Sequence, residues 1–385
     1  MTTRVIVNIA ELTTNDETLG DGSPMGRLFN AAMVLDDHHV LWVGASDEAP
    51  AADERIDAQH CAVLPGFVDS HTHLVFAGER SDEFEARMAG VPYDGGGIAR
   101  TVAATRAASS DDLRTATQQR VDALRAGGVT TMEIKSGYEL TLEGEVRLVD
   151  LANEWSDDVT FLGAHVVPAE YGNDRDGYVE LVGGAMLSAC APKSRWADVF
   201  CDTGAFSVDE ARTVLLLARD AGLGLRVHGN QLGDTGGVAL AVEVGAASVD
   251  HCSYVSDGDV EALAASSTVA TLLPGAEFST KSPYPSARRL LDAGVTVALA
   301  TDCNPGTSYI TNMGVVIALA VREMGMTVDE ALWAATRGGA LALERTDVGH
   351  LAPGARAHAV MLDAPRGAHL AYRMGESLVR RVLAT

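Results

Sequence analysis

Lysine is almost missing from this 385-residue chain: Lys135, Lys193 and Lys281 are the only three. The 29 basic residues face 53 acidic ones, giving a formal net charge of -24 at pH 7. A surface of that sign repels phosphate backbones, which excludes nucleic-acid binding as a main function. The acids are scattered rather than gathered in runs, so they describe a halophilic surface, adapted to high salt where screening quenches self-repulsion, better than a patch for one basic partner. Cysteine is also sparse. Cys61, Cys190, Cys201, Cys252 and Cys303 are odd in number, widely spaced and form no CxxC pair, which excludes a disulfide framework and fits reduced thiols in a cytosol. No apolar run approaches the roughly 20 residues of a membrane-spanning helix, and MTTRVIVNIAELTT has no charged segment leading into a long apolar one. The expectation is a cytoplasmic protein with no membrane partner.

Aromatics make up only 5% of the chain, whereas hydrophobic residues make up 47% and glycine contributes 39 positions. That texture suits many short buried strands wrapped by helices. From about residue 62 to 348, apolar strands alternate with Ala-rich helical stretches, as repeated βα units do. Eight strands are expected: 62–73, 129–138, 159–167, 197–203, 224–231, 248–253, 269–275 and 295–306. Between them lie helices such as SVDEARTVLLLARDAG, with a capping box at Ser207 and Glu210 and a stop at Gly222. Eight units at this spacing predict an α/β fold, a closed (β/α)8 TIM-type barrel over residues 61–348. Residues 1–60 and 349–385 carry short alternating segments such as VIVNIA and VRRVLAT, which read as a small composite β domain built from both termini.

The chemistry centres on DSHTH. His71 and His73 are two apart on an extended chain, so both imidazoles project to one side and can reach one ion. Further polar residues fall at the C-terminal ends of other expected strands: His165 on the third, His228 on the fifth, His251 on the sixth and Asp302 on the eighth. Barrel active sites lie at that end. The first and eighth strands are neighbours in a closed barrel, so Asp302 approaches the HxH pair across 229 residues (302 minus 73). His71, His73, His228 and Asp302 then converge on one ion with an open position for water. Singly, His228 could be a core histidine and Asp302 a helix N-cap; their shared placement favours the site. Three histidines and a carboxylate select Zn²⁺ or Fe over Ca²⁺ or Mg²⁺.

Together, the HTH, the later single His, the DH and the ATD resemble the amidohydrolase superfamily. FAGERSDEFEARMAGVPY, GGGIARTVAATRAAS, GVTTMEIKSGYEL, FLGAHVVPAEY, DVFCDTGAF, LLPGAEF and LATDCNPGTSY are similar to the imidazolonepropionase family within it. The resemblance spans about residues 60–350. It implies a small-molecule substrate, 4-imidazolone-5-propanoate, hydrolysed to N-formimidoyl-glutamate in histidine degradation, one divalent or trivalent metal ion as cofactor, and a homodimer. Carried over residue by residue, His71, His73, His228 and Asp302 resemble the metal ligands. Arg80, Tyr138 and His165 resemble substrate contacts. Asn304, Gly306 and Thr307 resemble the site for the ligand's polar end, and His251 resembles the histidine beside the water.

These roles suit the residues. A propionate tail needs a cation, and arginine grips a carboxylate bidentately; the competing reading of Arg80 is an ion pair with Glu79, Asp82 or Glu83. Opening a cyclic amide needs an activated water, a stabilised oxyanion and a proton for the departing nitrogen. Asp302 is placed to accept the water's proton, His251 to orient the water and His165 to polarise the carbonyl or hold the ring. The family often carries Glu three residues after the strand-five histidine, whereas Gln231 stands here; an amide binds ligand but cannot carry a proton, which moves that duty to Asp302 or His251. Binuclear amidohydrolases bridge two metals with a carboxylated lysine on strand four, and none of the three lysines falls there, so one metal is expected. Lys135, inside strand two, needs a partner, and Glu133 shares its face. Two rival readings are a nucleobase deaminase, whose substrate has no carboxylate for Arg80 to grip, and a non-catalytic barrel, which would lack ligands.

Overall fold

The computed structural model describes residues 2–91 and 97–383; parts of two motif stretches, residues 92–96, fall outside them. Eight parallel strands run side by side in chain order: β6 (Phe67–Asp69), β7 (Val129–Lys135), β8 (Asp158–Ala164), β9 (Trp196–Cys201), β10 (Gly224–Gly229), β11 (Ser248–His251), β12 (Val269–Leu272) and β13 (Val297–Leu299). They are nearly continuously buried, as strands covered on both faces must be. The last strand meets the first through a parallel bridge between Thr72 and Cys303. The Asp302 amide donates to the His71 carbonyl at 3.1 Å and the His73 amide to the Cys303 carbonyl at 3.0 Å, so the ring closes at the residues expected to bind metal.

A second sheet takes both chain ends. It contains β1 (Arg4–Thr13), β2 (Arg27–Leu35), β3 (Val40–Ala45), β4 (Glu54–Asp57), β5 (Val63–Pro65), β14 (Ala359–Leu362) and β15 (Val379–Leu383). Its order is β15-β14-β5-β1-β2-β3, with β4 also on β1, and Ile6, Ile9, Leu12 and Met33 fill a core of its own.

The run 62–73, expected as one strand, is two. Val63–Pro65 pairs with β14 in the terminal sheet, while Phe67–Asp69 pairs with β7 in the barrel. Pro65 has no N–H to continue a ladder, and Gly66 passes so close to Thr130 that a β-carbon would strike its side chain. The last two barrel strands are shorter than expected. Pro274 opens the helix Pro274–Thr280 after Leu272, and Asp302 leaves the extended region at φ 51°. The helix Val208–Asp220 carries both halves of the expected capping box between Ser207 and Glu210, and Gly222 follows at φ 88°. Behind the barrel, Gly339 opens a helix that packs on β6 so tightly that a methyl group there would be driven into the Val68 carbonyl. That contact braces the strand leading to DSHTH.

Candidate metal and active site

His71 and His73 follow β6, His165 follows β8, His228 lies inside the end of β10, His251 ends β11 and Asp302 follows β13. All are buried at the same barrel end. The His71 and His73 Nε2 atoms lie 3.2 Å apart, and those of His73 and His228 lie 3.3 Å apart. Asp302 Oδ1 stands 3.4 Å from His71 Nε2 and 3.6 Å from His73 Nε2. Ligands about 2.1 Å from a tetrahedral ion stand roughly 3.4 Å from one another, so these separations fit one ion. Burial drives the His71 and His73 imidazoles well below their ordinary pKa, which keeps them neutral. His71 donates Nδ1–H to Asp250, so its Nε2 presents a lone pair to its neighbours. Neutral nitrogens facing one another with a carboxylate beside them call for a cation between them. His71, His228 and His251 form a second, overlapping donor group.

Beneath the donors lies a layer of buried charge. Asp250 Oδ2 accepts from His71 Nδ1 at 2.7 Å, and Asp198 Oδ2 lies 3.0 Å from His228 Nδ1, off the best hydrogen-bond axis. Lys135 Nζ is 2.8 Å from both Glu133 Oε1 and Asp198 Oδ2, and Thr160 donates to the same Glu133 oxygen. Arg226 reaches Asp250 at 3.3 Å and donates to the Ser70 and Ala342 carbonyls at 2.7 Å each. Burial pushes the Asp198 carboxyl up, but His228 and Lys135 override it and hold it below the usual range. Burial likewise opposes the Asp250 charge, and Arg226 and Lys135 hold that carboxyl down. Carboxylates behind ligating imidazoles fix tautomer and ring orientation, and here two cations keep them ionised.

The strand ends are strained where they carry function. His251 sits at φ 80°, Asn230 at 55° and Asp302 at 51°, left-handed values that residues other than glycine adopt only when their surroundings enforce them. Asn304 enforces one: its amide donates to the Asp302 carbonyl and to Thr307 Oγ1, while its Oδ1 accepts from the Gly306 and Thr307 amides. Thr307 then donates to Asp302 Oδ2 at 3.3 Å.

A narrow pocket opens over the donors. Its wall brings together His73, His165, His228, His251 and Asp302 with Arg80, Tyr138, Gln231, Asn304, Gly306 and Thr307. Each expected substrate contact therefore faces one space. Arg80 also makes the ion pair weighed against it: Nε and Nη2 donate to Glu83 at 3.0 and 2.7 Å, and a β-carbon at Gly306 would collide with the guanidinium. Asn304 spends its polar atoms on its own loop, so it shapes the floor rather than offering an open donor. His165 donates Nδ1–H to the Gly137 carbonyl at 2.9 Å, and burial pushes its pKa down to about 3. The Gln231 backbone N–H donates to Asp202 Oδ2 at 2.6 Å. Ile98, Val166 and Phe200 complete the wall with apolar surface that sequence reading passed over.

Sequence reading also passed over Asp198 and Arg226, and it quoted Asp250 only within the DH pair, without a role. Their signal was available: each is a charged residue interrupting a strand that should be wholly apolar. The expected partner of Lys135, Glu133, is in place.

A family model described as Amidohydrolase family matches residues 62–378. The imidazolonepropionase of Salinispora arenicola (strain CNS-205) is 61% identical over 386 residues, covering 100% of this chain and 98% of the relative. That of Mycolicibacterium smegmatis is 60% identical over 384 residues, covering 100% and 96%. Among solved structures, a triazine hydrolase variant superposes with TM-score 0.76 at 18% identity, covering 99% of this chain and 93% of that one. An atrazine chlorohydrolase from Arthrobacter aurescens TC1 complexed with zinc gives 0.71 at 17%, covering 99% and 94%. At such identities these structures speak to the fold alone.

The layer beneath the donors generates a prediction. Asp198→Asn, which keeps the shape and removes the charge behind His228, should weaken metal retention about 10- to 100-fold, read as metal per chain after dialysis against graded chelator. Retention equal to that of the unaltered protein would contradict the role given to Asp198.

Proposed function

The chain belongs to the amidohydrolase family and, within it, to the imidazolonepropionases, and from that premise we infer how its residues open the ring of 4-imidazolone-5-propanoate to N-formimidoyl-L-glutamate. The observation that carries the reading is the shared pocket: a buried arginine faces the same space as a three-histidine, one-carboxylate donor cluster. The family is metal-dependent. His71, His73, His228 and Asp302 would hold one ion, Zn²⁺ or Fe by the character of the donors. When bound, such an ion lowers the pKa of water from 15.7 toward about 7 and so supplies a nucleophile at neutral pH.

The residues do the rest. Arg80 takes the propionate carboxylate. Glu83 occupies its Nε and Nη2, so the Nη1 end, lying over Gly306, is the edge offered to substrate. Of the two roles expected for His165, polarising the carbonyl or holding the ring, its hydrogen bonding supports the second, with the imidazole as an acceptor. With Nδ1–H committed to Gly137 and the ring neutral, its Nε2 carries a lone pair suited to a ring N–H of the imidazolone. Tyr138, whose ring centroid lies 5.3 Å from that of His165, closes the same side. Gln231 can donate to or accept from the ring but holds no proton to transfer.

Proton movement falls to Asp302 and His251. Asp302, whose Oδ1 faces the donor histidines, accepts on its carboxylate the proton released as water adds to the ring carbonyl. The C–N bond then breaks, and the departing nitrogen receives the proton that Asp302 took up, which returns Asp302 to its carboxylate form. His251, at the rim beside His71 and His228, orients the water. The sum is substrate plus water to product, with no other reactant. Asn304 and Thr307 hold Asp302 in its strained conformation, a positioning duty. A homodimer belongs to the same proposal; it rests on the resemblance to the family, and sedimentation of the purified protein tests it.

Freshly generated imidazolone propanoate, followed by its ultraviolet absorbance, is the direct assay. The metal-loaded protein should consume it with N-formimidoyl-glutamate appearing, and His228→Ala should lose metal and activity together. Arg80→Ala should raise KM by roughly 100-fold, the loss of a charge-assisted contact of about 3 kcal/mol. Loss of substrate absorbance unaffected by Arg80→Ala would remove Arg80 from carboxylate binding. No consumption with any metal would reject the substrate and turn attention to nucleobase deamination.

A further inference from the structure

The pocket wall formed by Tyr138 and His165 rests on a single loop, KSGYEL, between β7 and the helix Leu142–Ala152. Its backbone is irregular. Gly137 adopts φ 103° and Leu140 φ 55°, so neither end repeats a strand or a helix, and beyond Ser136, whose amide donates to the Thr160 carbonyl at 3.0 Å, the Gly137, Glu139 and Leu140 amides have no strand partner. One side chain collects them. Glu145, on the first turn of that helix and with no exposed surface, accepts from the Gly137 amide at 2.8 Å through Oε2 and from the Glu139 and Leu140 amides at 3.0 and 2.8 Å through Oε1. Gly137 then turns its carbonyl to His165 Nδ1 at 2.9 Å. Nothing larger than glycine fits there, since a β-carbon would stand 3.0 Å from that nitrogen and 2.9 Å from the Leu162 carbonyl.

We propose that Glu145 is the positioning residue of the substrate pocket, setting the place of Tyr138 and the tautomer of His165 through the backbone of one loop. The inference rests on the reading of those two residues as substrate contacts. Its chain of cause is short. The carboxylate fixes the peptide units on both sides of Tyr138, and the carbonyl of Gly137, held by that arrangement, keeps the His165 proton on Nδ1. Nε2 is thereby left as an acceptor toward the pocket. An amide in place of the carboxylate cannot do this, because its NH2 would oppose backbone N–H groups with a donor. Glu145 touches neither substrate nor donor cluster, so metal binding lies outside its influence.

The test uses the full-length, metal-loaded protein. Glu145→Gln and Glu145→Asp are assayed alone and combined with His165→Ala, with metal content and thermal midpoint measured on each. Glu145→Gln should raise KM about tenfold or more, the scale of one lost buried hydrogen bond, with metal content unchanged. Glu145→Asp should recover part of the loss. Glu145→Gln combined with His165→Ala should lose less than the sum of the two single losses, because only the part that acts through Tyr138 remains. KM within about twofold of the unaltered protein, or a full additive loss in the double variant, would overturn the proposal. Should Glu145→Gln not fold, Glu145→Asp carries the same comparison.

Selective ¹⁵N-histidine labelling, with His165→Ala to assign the signal, reads the tautomer without any substrate. Protonated Nδ1 in the unaltered protein and a mixed state in the Glu145 variant support the proposal; an unchanged tautomer overturns it. If His165→Ala and Tyr138→Phe leave KM where it was, the substrate reading fails. The ¹⁵N result still decides whether Glu145 governs the loop.

Discussion

Everything at the barrel mouth depends on a set of charges that cannot be left unpaired. Glu133, Lys135, Asp198, Arg226 and Asp250 are all fully buried inside the strands, where an isolated charge would be intolerable. Each is held by the others, and two of them, Asp198 and Asp250, turn toward histidines at the upper face. The layer therefore does two things at once. It satisfies the interior electrostatically, and it aims His71 and His228 at a common point. Breaking one member would expose a buried charge and misdirect a ligand together, so stability and function are coupled at this site.

The scarcity of cations in the chain takes on meaning against that layer. A protein with a net charge of -24 keeps Lys135, Arg226, Arg80, Arg87 and Arg120 buried. Lys135 and Arg226 compensate the carboxylates below the donors. Arg80 lines the pocket. Arg120 stacks 3.4 Å from the Phe76 ring and donates to the Leu74 and Phe76 carbonyls, steadying the segment that leaves DSHTH. Arg87 donates to the Gly306 carbonyl at 2.7 Å, in the loop that carries Asp302. These arginines and the lysine are bound to particular carbonyls and carboxylates at the catalytic end, while acidic groups predominate elsewhere.

Much of this was legible in the sequence, and for identifiable reasons. The barrel followed from eight apolar runs at regular spacing, and the donor set from histidines and an aspartate placed at the same end of those runs. What escaped was anything decided by backbone conformation. The division of 62–73 into two strands depends on Pro65 and Gly66 meeting a neighbouring sheet, and no periodicity reports that. Asn304 was expected at the ligand's polar end by resemblance to the family; its hydrogen bonds show its polar atoms engaged within its own loop. His165 read equally well as donor or acceptor until the Gly137 carbonyl fixed its proton. Asp198, Asp250 and Arg226 sat in plain view as charges in apolar strands, but their pairing runs between strands distant in sequence.

The central claim is that the barrel mouth holds one ion between the Nε2 atoms of His71, His73 and His228 and Asp302 Oδ1. Anomalous diffraction at the metal absorption edge, on crystals of the metal-loaded protein, tests it most directly. The account predicts one peak, about 2.0–2.2 Å from each of those four atoms. A peak centred on His71, His228 and His251 instead, or two peaks of comparable height, would contradict it.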